Sequence, residues 1–244
     1  MNWIFRFLIS SIGKKVIMSL TGLFLCLFLV VHMIGNLQLF VPLFDAADQG
    51  KTFNAYAHMM TSNPLIKVVA YLTYAFILLH ALQGLLIYRS NKSAASKTLQ
   101  GKRYYGKELS PTPARYASRN MALLGTIILA FIGLHMAQFW GVMKFGNWEG
   151  EILPGVQALD ANENKNLYGL VHAAFQETWV VVVYLVSVAV LSMHLLHGFQ
   201  SAFQTLGLNH KRYTPIIKGI GTAYSILIPL GFASMPIIIF FASK

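Results

Sequence analysis

Apolar and polar positions in this chain are segregated into long blocks and do not alternate. Five windows, approximately 16–41, 65–88, 121–143, 178–203 and 216–241, are nearly continuous apolar runs. Core strands and core helices are shorter than this. A helix of ~25 residues rises ~37 Å, enough to cross a hydrocarbon layer of ~30 Å with some tilt. Helices are expected because lipid offers no partners to the backbone groups of open strands. The pattern predicts an all-α membrane protein in which residues 1–244 form a single bundle of five transmembrane helices. Pro229 and Pro236 fall in the fifth window and are expected to kink it or mark its outer end. Residues 1–13 mix Trp3, Phe5, Phe7 and Leu8 with Arg6 and read as an interfacial segment. The longest hydrophilic stretch, 89–119, is too short and too polar to build a core of its own.

Composition sharpens this picture. Of 244 residues, 56% are hydrophobic and only 11% are charged, against roughly 25% charged in a soluble domain. The net charge of +11 would point to nucleic acid in a soluble chain, but no basic stretch is interleaved with aromatics, and no nucleic-acid partner is expected. The charge instead reports topology. Arg6, Lys14 and Lys15 precede the first span. Arg89, Lys92, Lys97, Lys102, Arg103, Lys107, Arg115 and Arg119 separate spans two and three, and Lys211, Arg212 and Lys218 separate four and five. Fourteen of the 19 basic residues thus share one side with a single acid, Glu108. The positive-inside rule then places the N-terminus in the cytoplasm and the C-terminus outside, as a multi-pass protein of a bacterial inner (cytoplasmic) membrane. Trp140, Trp148, Trp179, Tyr88 and Tyr213 fall at span ends, as an aromatic belt would. The run after Lys15 has no small-residue cleavage site and reads as a retained first span. The one cysteine, Cys26, excludes an intrachain disulfide and a Cys-x-x-Cys-His haem attachment.

Five of the eight histidines lie inside the apolar windows: His32, His80, His135, His194 and His197. Polar groups are expensive in hydrocarbon, so five imidazoles in one bundle need a reason. Counting 1.5 Å per residue from the basic edge puts His32 at ~26 Å and His135 at ~24 Å, with His80 and His197 at ~14 Å. Two pairs of imidazoles on different helices at two heights are what two bis-histidine b-type haems require. His194, one turn deeper than His197 on the same face, is a substitute ligand or a supporting group. Gly35 and Gly84 follow His32 and His80 by three and four residues and would leave room for a flat macrocycle.

The segments SSIGKKVIMSLTGLFLCLFLVVHMIGN, LLHALQG, GLHMAQF and LLHGFQSAFQTLG resemble the single-chain, di-haem cytochrome b subunit of type B succinate:quinone oxidoreductases, the succinate dehydrogenase and fumarate reductase complexes. The resemblance extends over all five spans. It implies that His80 and His197 hold the proximal haem b and that His32 and His135 hold the distal one. It also implies a flavoprotein subunit carrying FAD and an iron-sulfur subunit docked on the cytoplasmic face, menaquinone as substrate, and a possible dimer of the assembled complex. The basic loop 89–119 suits such docking, inner haem propionates and anionic lipid.

A quinone reacting at the outer end needs proton-handling groups there. Glu177, His58, Gln176, Tyr168 and His172 lie at outer span ends, with Glu177 and His58 the foremost candidates. Glu177 also suits a plain helix-stabilising role at a span's N-terminus. The chain departs from some fumarate reductase relatives. They carry a glutamate two residues before the fourth-span ligand, where this chain has Leu195, and a carboxylate near the outer start of span two, where NPLIK offers none. Their proton routes do not transfer. The alternatives are a cytochrome b subunit of another respiratory complex, a proton-coupled transporter with a histidine relay, and a haem-free anchor.

Overall fold

The computed structural model describes residues 2–97, 117 and 119–242. Lys102, Arg103, Lys107, Glu108 and Arg115 of the basic loop, and Lys244, lie outside the described residues. Five helices are long and apolar enough to cross a membrane: spans one to five are Ser11–Phe44, Pro64–Ser93, Met121–Phe145, Thr178–Thr205 and Thr214–Ala242. The protein is an all-α helical-bundle membrane protein. Each span outruns its apolar window by a few residues at one end or both, because a helix continues as long as its backbone bonds can be made and does not stop where hydrophobicity does.

Local chemistry explains the boundaries. The helix Trp3–Ile9 is stopped by extended Ser10, whose Oγ accepts from the Gly13 amide at 3.0 Å and so caps span one. The first helix folds back closely here: a Cβ on Gly13 would sit 2.0 Å from the Phe7 carbonyl oxygen. At its other end span one tightens into a 3₁₀ turn, Leu37–Phe40, before the short Pro42-containing helix Val41–Phe44. Span three is α-helical over Met121–His135, turns as a π-helix over Met136–Gly141 and resumes over Val142–Phe145.

Span four is central, packing against spans one, three and five, while span two packs against span one. Ile12 and Lys15 at the start of span one line one open cleft with Ser201, Gln204 and Thr205 at the end of span four, so these two spans are antiparallel and share a basic end. Leu27, Leu78 and Leu227 are each more than 60% exposed, which is what a lipid-facing surface requires.

The apolar core gathers at the opposite end. Leu39, Phe53, Phe139, Leu170, Phe175, Tyr184 and Met235 belong to one buried cluster. Two short helices, Lys51–Ser62 and Leu167–Gln176, and a hairpin of strands Glu151–Leu153 and Val156–Gln157 cap it. Buried Asn54 pins this cap: its Nδ2 donates to Asp160 Oδ2 at 3.1 Å and to Asn166 Oδ1 at 3.3 Å, and its Oδ1 accepts from the Tyr168 amide at 2.8 Å. The sequence pattern foresaw neither the hairpin nor the two helices, because they contribute to a core only jointly.

Span five carries both prolines, Pro229 and Pro236, inside one continuous helix, and both are buried. A proline within a helix frees the carbonyl four residues earlier, here that of Ser225. Ser192 of span four donates its hydroxyl to that carbonyl at 2.6 Å, so the break in the ladder is made good by the neighbouring helix. Ser192→Ala should therefore destabilise the protein by about 1–3 kcal/mol, the cost of an unsatisfied buried acceptor. Thermal unfolding in detergent micelles checks this, with Ser192→Thr retaining most of the wild-type stability.

Candidate functional site

The intramembrane histidines meet in facing pairs. The rings of His32 (span one) and His135 (span three) lie 5.8 Å apart, centroid to centroid, at an interplanar angle of 88°. The rings of His80 (span two) and His194 (span four) lie 6.3 Å apart at 66°. Among the described residues no three or more histidine, cysteine, aspartate or glutamate side chains gather as a metal-binding group. The motif is therefore a pair, used twice, on alternate spans.

The ring that faces His80 in this structure is that of His194, one of the two span-four candidates, and His197 makes no ring contact with His80 among the described residues. The two candidates differ by three residues, a rise of ~4.5 Å. Depth counted from a loop cannot resolve that difference. The rotation of span four and its crossing with span two bring His194 to face His80.

Each ring has distinct support. His80 Nδ1 lies 3.2 Å from Thr21 Oγ1, and that buried hydroxyl donates to the Ile17 carbonyl at 2.8 Å. A hydroxyl has one proton, so with that proton on the Ile17 carbonyl its oxygen would face Nδ1 as acceptor. His135 Nδ1 lies 3.2 Å from Tyr184 Oη. His32 Nδ1 has Asn36 Nδ2 at 3.4 Å, the outer limit of a hydrogen bond, while the same amide donates to the His32 carbonyl at 2.8 Å. His194 Nδ1 is buried without a hydrogen-bond partner. Around the first pair, Phe28 stacks on His32 at 5.3 Å, and Phe139 meets His135 edge-on at 5.4 Å.

The residues fit a bis-imidazole metal centre. Each pair brings two imidazoles from different spans to face one another, the donor set such a centre would use. His194 Nδ1 is a buried polar atom without a partner among the described residues. Glycines hold space beside the second pair: a Cβ on Gly22 would lie 3.1 Å from His80 Cε1, and one on Gly125 would lie 3.7 Å from His194 Cε1. These are not the glycines the spacing had indicated. A Cβ on Gly35 would strike the Tyr56 ring at 2.6 Å, and one on Gly84 would meet the Met18 methyl at 3.3 Å, so these two serve helix packing. Sequence reasoning missed Thr21, Gln138 and Tyr184 as supporting groups. The signal available was a single phenol in the aliphatic run TWVVVVYLV.

The outer cluster divides. Tyr168 and His172, one turn apart on the helix Leu167–Gln176, bring their rings to 5.8 Å. Gln176 Nε2 donates to the Ile239 carbonyl at 3.3 Å and is held against span five. Glu177 is exposed at the N-cap of span four without a side-chain capping bond, and His58 is exposed on the helix Lys51–Ser62. Half-burial pushes the Tyr168 hydroxyl up from its ordinary range, with the Asp48 charge adding to the effect.

Comparison with protein-family models found no match, and comparisons with curated proteins and with solved structures found no significant match. Fold and site define the class by themselves: a multi-pass all-α membrane protein with two facing histidine pairs.

Burial holds the His172 imidazole below its ordinary value of 6.5. A group whose native pKa is depressed in this way binds protons more readily when unfolded, so it favours folding fully above pH ~6.5 and loses that contribution as pH falls toward the native value. Stability measured against pH should decline on the acid side of 6.5, and His172→Gln should flatten that part of the slope.

Proposed function

We propose that the chain is the membrane anchor and di-haem cytochrome b subunit of a succinate:quinone oxidoreductase, passing electrons between an iron-sulfur partner and a quinone. The observation that carries this reading is the pair of facing histidine pairs, one joining spans one and three and the other spans two and four. A haem b held there would supply reversible one-electron chemistry. His32 and His135 would hold one haem b, and His80 with His194 the other, His197 being relegated to a flanking position. The protein's own part is to present Nε2 lone pairs, to exclude water with Phe28, Phe131, Phe139 and Phe232, and to keep the two sites apart along the bundle.

The remaining elements of the proposal follow from resemblance and charge. The basic end would face the cytoplasm of a bacterial cell and receive the iron-sulfur and FAD-bearing flavoprotein subunits. Menaquinone would react at the opposite end. The adjoining Tyr168 and His172 are better placed there to exchange a proton in a partly dry setting than exposed Glu177 and His58, which would connect the site to water.

A reduced-minus-oxidised spectrum with a pyridine haemochrome assay on the purified protein tests the reading. Two haem b per chain are expected. His80→Ala or His194→Ala should each remove one, His32→Ala or His135→Ala should each remove the other, and His197→Ala should keep both. A protein that binds no haem would sink the proposal and leave a histidine relay as the better reading of the pairs. Loss of a haem in His197→Ala with retention in His194→Ala would return the span-four ligand to His197.

A further inference from the structure

Span three leaves α-helical geometry immediately after His135, in the π turn Met136–Gly141. Such turns shift the side chains that follow and recur at functional sites. This one carries Gln138, whose Oε1 accepts a hydrogen bond from Tyr184 Oη at 2.9 Å. The same hydroxyl lies 3.2 Å from His135 Nδ1. A phenol has one proton to give. Given to Gln138, it leaves the oxygen facing Nδ1 as an acceptor, so Nδ1 bears the hydrogen and Nε2 keeps its lone pair. Given to Nδ1 instead, it would strip Gln138 Oε1 of its donor in a region where water cannot substitute. Tyr184 is only 6% exposed and is ringed by Phe131 at 4.9 Å and Phe175 at 5.1 Å. Its hydroxyl has no easy exchange with solvent.

Resting on the functional reading above, we propose that Tyr184 and Gln138 are positioning residues that lock His135 into its Nδ1–H tautomer, so that it ligates through Nε2 with enhanced donor strength. A ligand imidazole whose outer N–H is held by an acceptor is both oriented and made more basic. Greater basicity favours the oxidised metal, so loss of the acceptor raises the reduction potential. The facing ring has no comparable acceptor: Asn36 Nδ2 stands 3.4 Å from His32 Nδ1, the outer limit of a hydrogen bond, and is committed to the His32 carbonyl at 2.8 Å. The pair is therefore asymmetric, and its electronic tuning enters through span four.

The test is a potentiometric titration of the purified full-length protein, with the ferric haem signals followed by electron paramagnetic resonance. Wild type, Tyr184→Phe and Gln138→Leu are compared, with lipid-exposed Tyr71→Phe as a control. The wave belonging to this pair is the one that disappears in His32→Ala. In Tyr184→Phe that wave should move to higher potential with altered g-values while the other stays in place, haem content remaining at two per chain. Unchanged potentials, or movement of the other wave, overturn the proposal. If Tyr184→Phe loses haem, Gln138→Leu decides: it keeps the ring and its packing but frees the hydroxyl proton to turn toward Nδ1. A shift of the same wave supports the proposal, and no shift overturns it. A wild-type protein without haem removes the underlying reading itself, and this is seen before any substitution is made.

Discussion

Every polar group placed inside the hydrocarbon must find its partner within the protein, and this one constraint organises the bundle. The constraint acts on backbone and side chain alike. At Pro229 it forces span four to lend the Ser192 hydroxyl to the Ser225 carbonyl, which ties spans four and five together where a lone helix would kink. At His80 it is met by a threonine of span one whose own proton is already committed to its helix. At His135 it is met by a phenol from span four and an amide from the next turn of span three. In each case a locally unsatisfied group becomes an interhelical connection. Span four takes part in two of these three.

The same constraint separates the two histidine pairs. The pair on spans one and three sits close to the capped end, surrounded by aromatic rings. The pair on spans two and four is bordered by glycines and retains an imidazole nitrogen without a protein partner. Two sites built from one residue type thereby acquire different surroundings. The cap is knit by Asn54, Asp160 and Asn166, and it covers that end of the bundle with Tyr168 and His172 side by side.

Much of this was legible in the amino-acid order. The five spans follow from window length and hydropathy, because the hydrocarbon thickness sets the minimum helix. His32 and His135 could be matched because spans one and three run in the same direction and their counts from the basic edge agree within a residue. The histidine facing His80 could not be fixed in this way. His194 and His197 lie on one helical face, separated by less than a turn, and a count from a loop carries an uncertainty of that size. Glycines were equally ambiguous: Gly35 stands beside a candidate ligand in sequence yet accommodates Tyr56, whereas Gly22, ten residues before His32, opens space beside His80 on another helix.

Sequence by itself determined the class of the molecule, the number of spans and the intramembrane positions of the histidines. These depend on local quantities: residue hydrophobicity, helical rise and the thickness of a bilayer. Tertiary structure alone decided which imidazoles face one another, which hydroxyls stand beside His80 and His135, how Pro229 is tolerated in an unbroken helix and how the short outer segments close over the core. Those outcomes depend on the rotation and crossing of helices, which residues distant in the chain set together through packing and hydrogen bonding and which no single helix encodes.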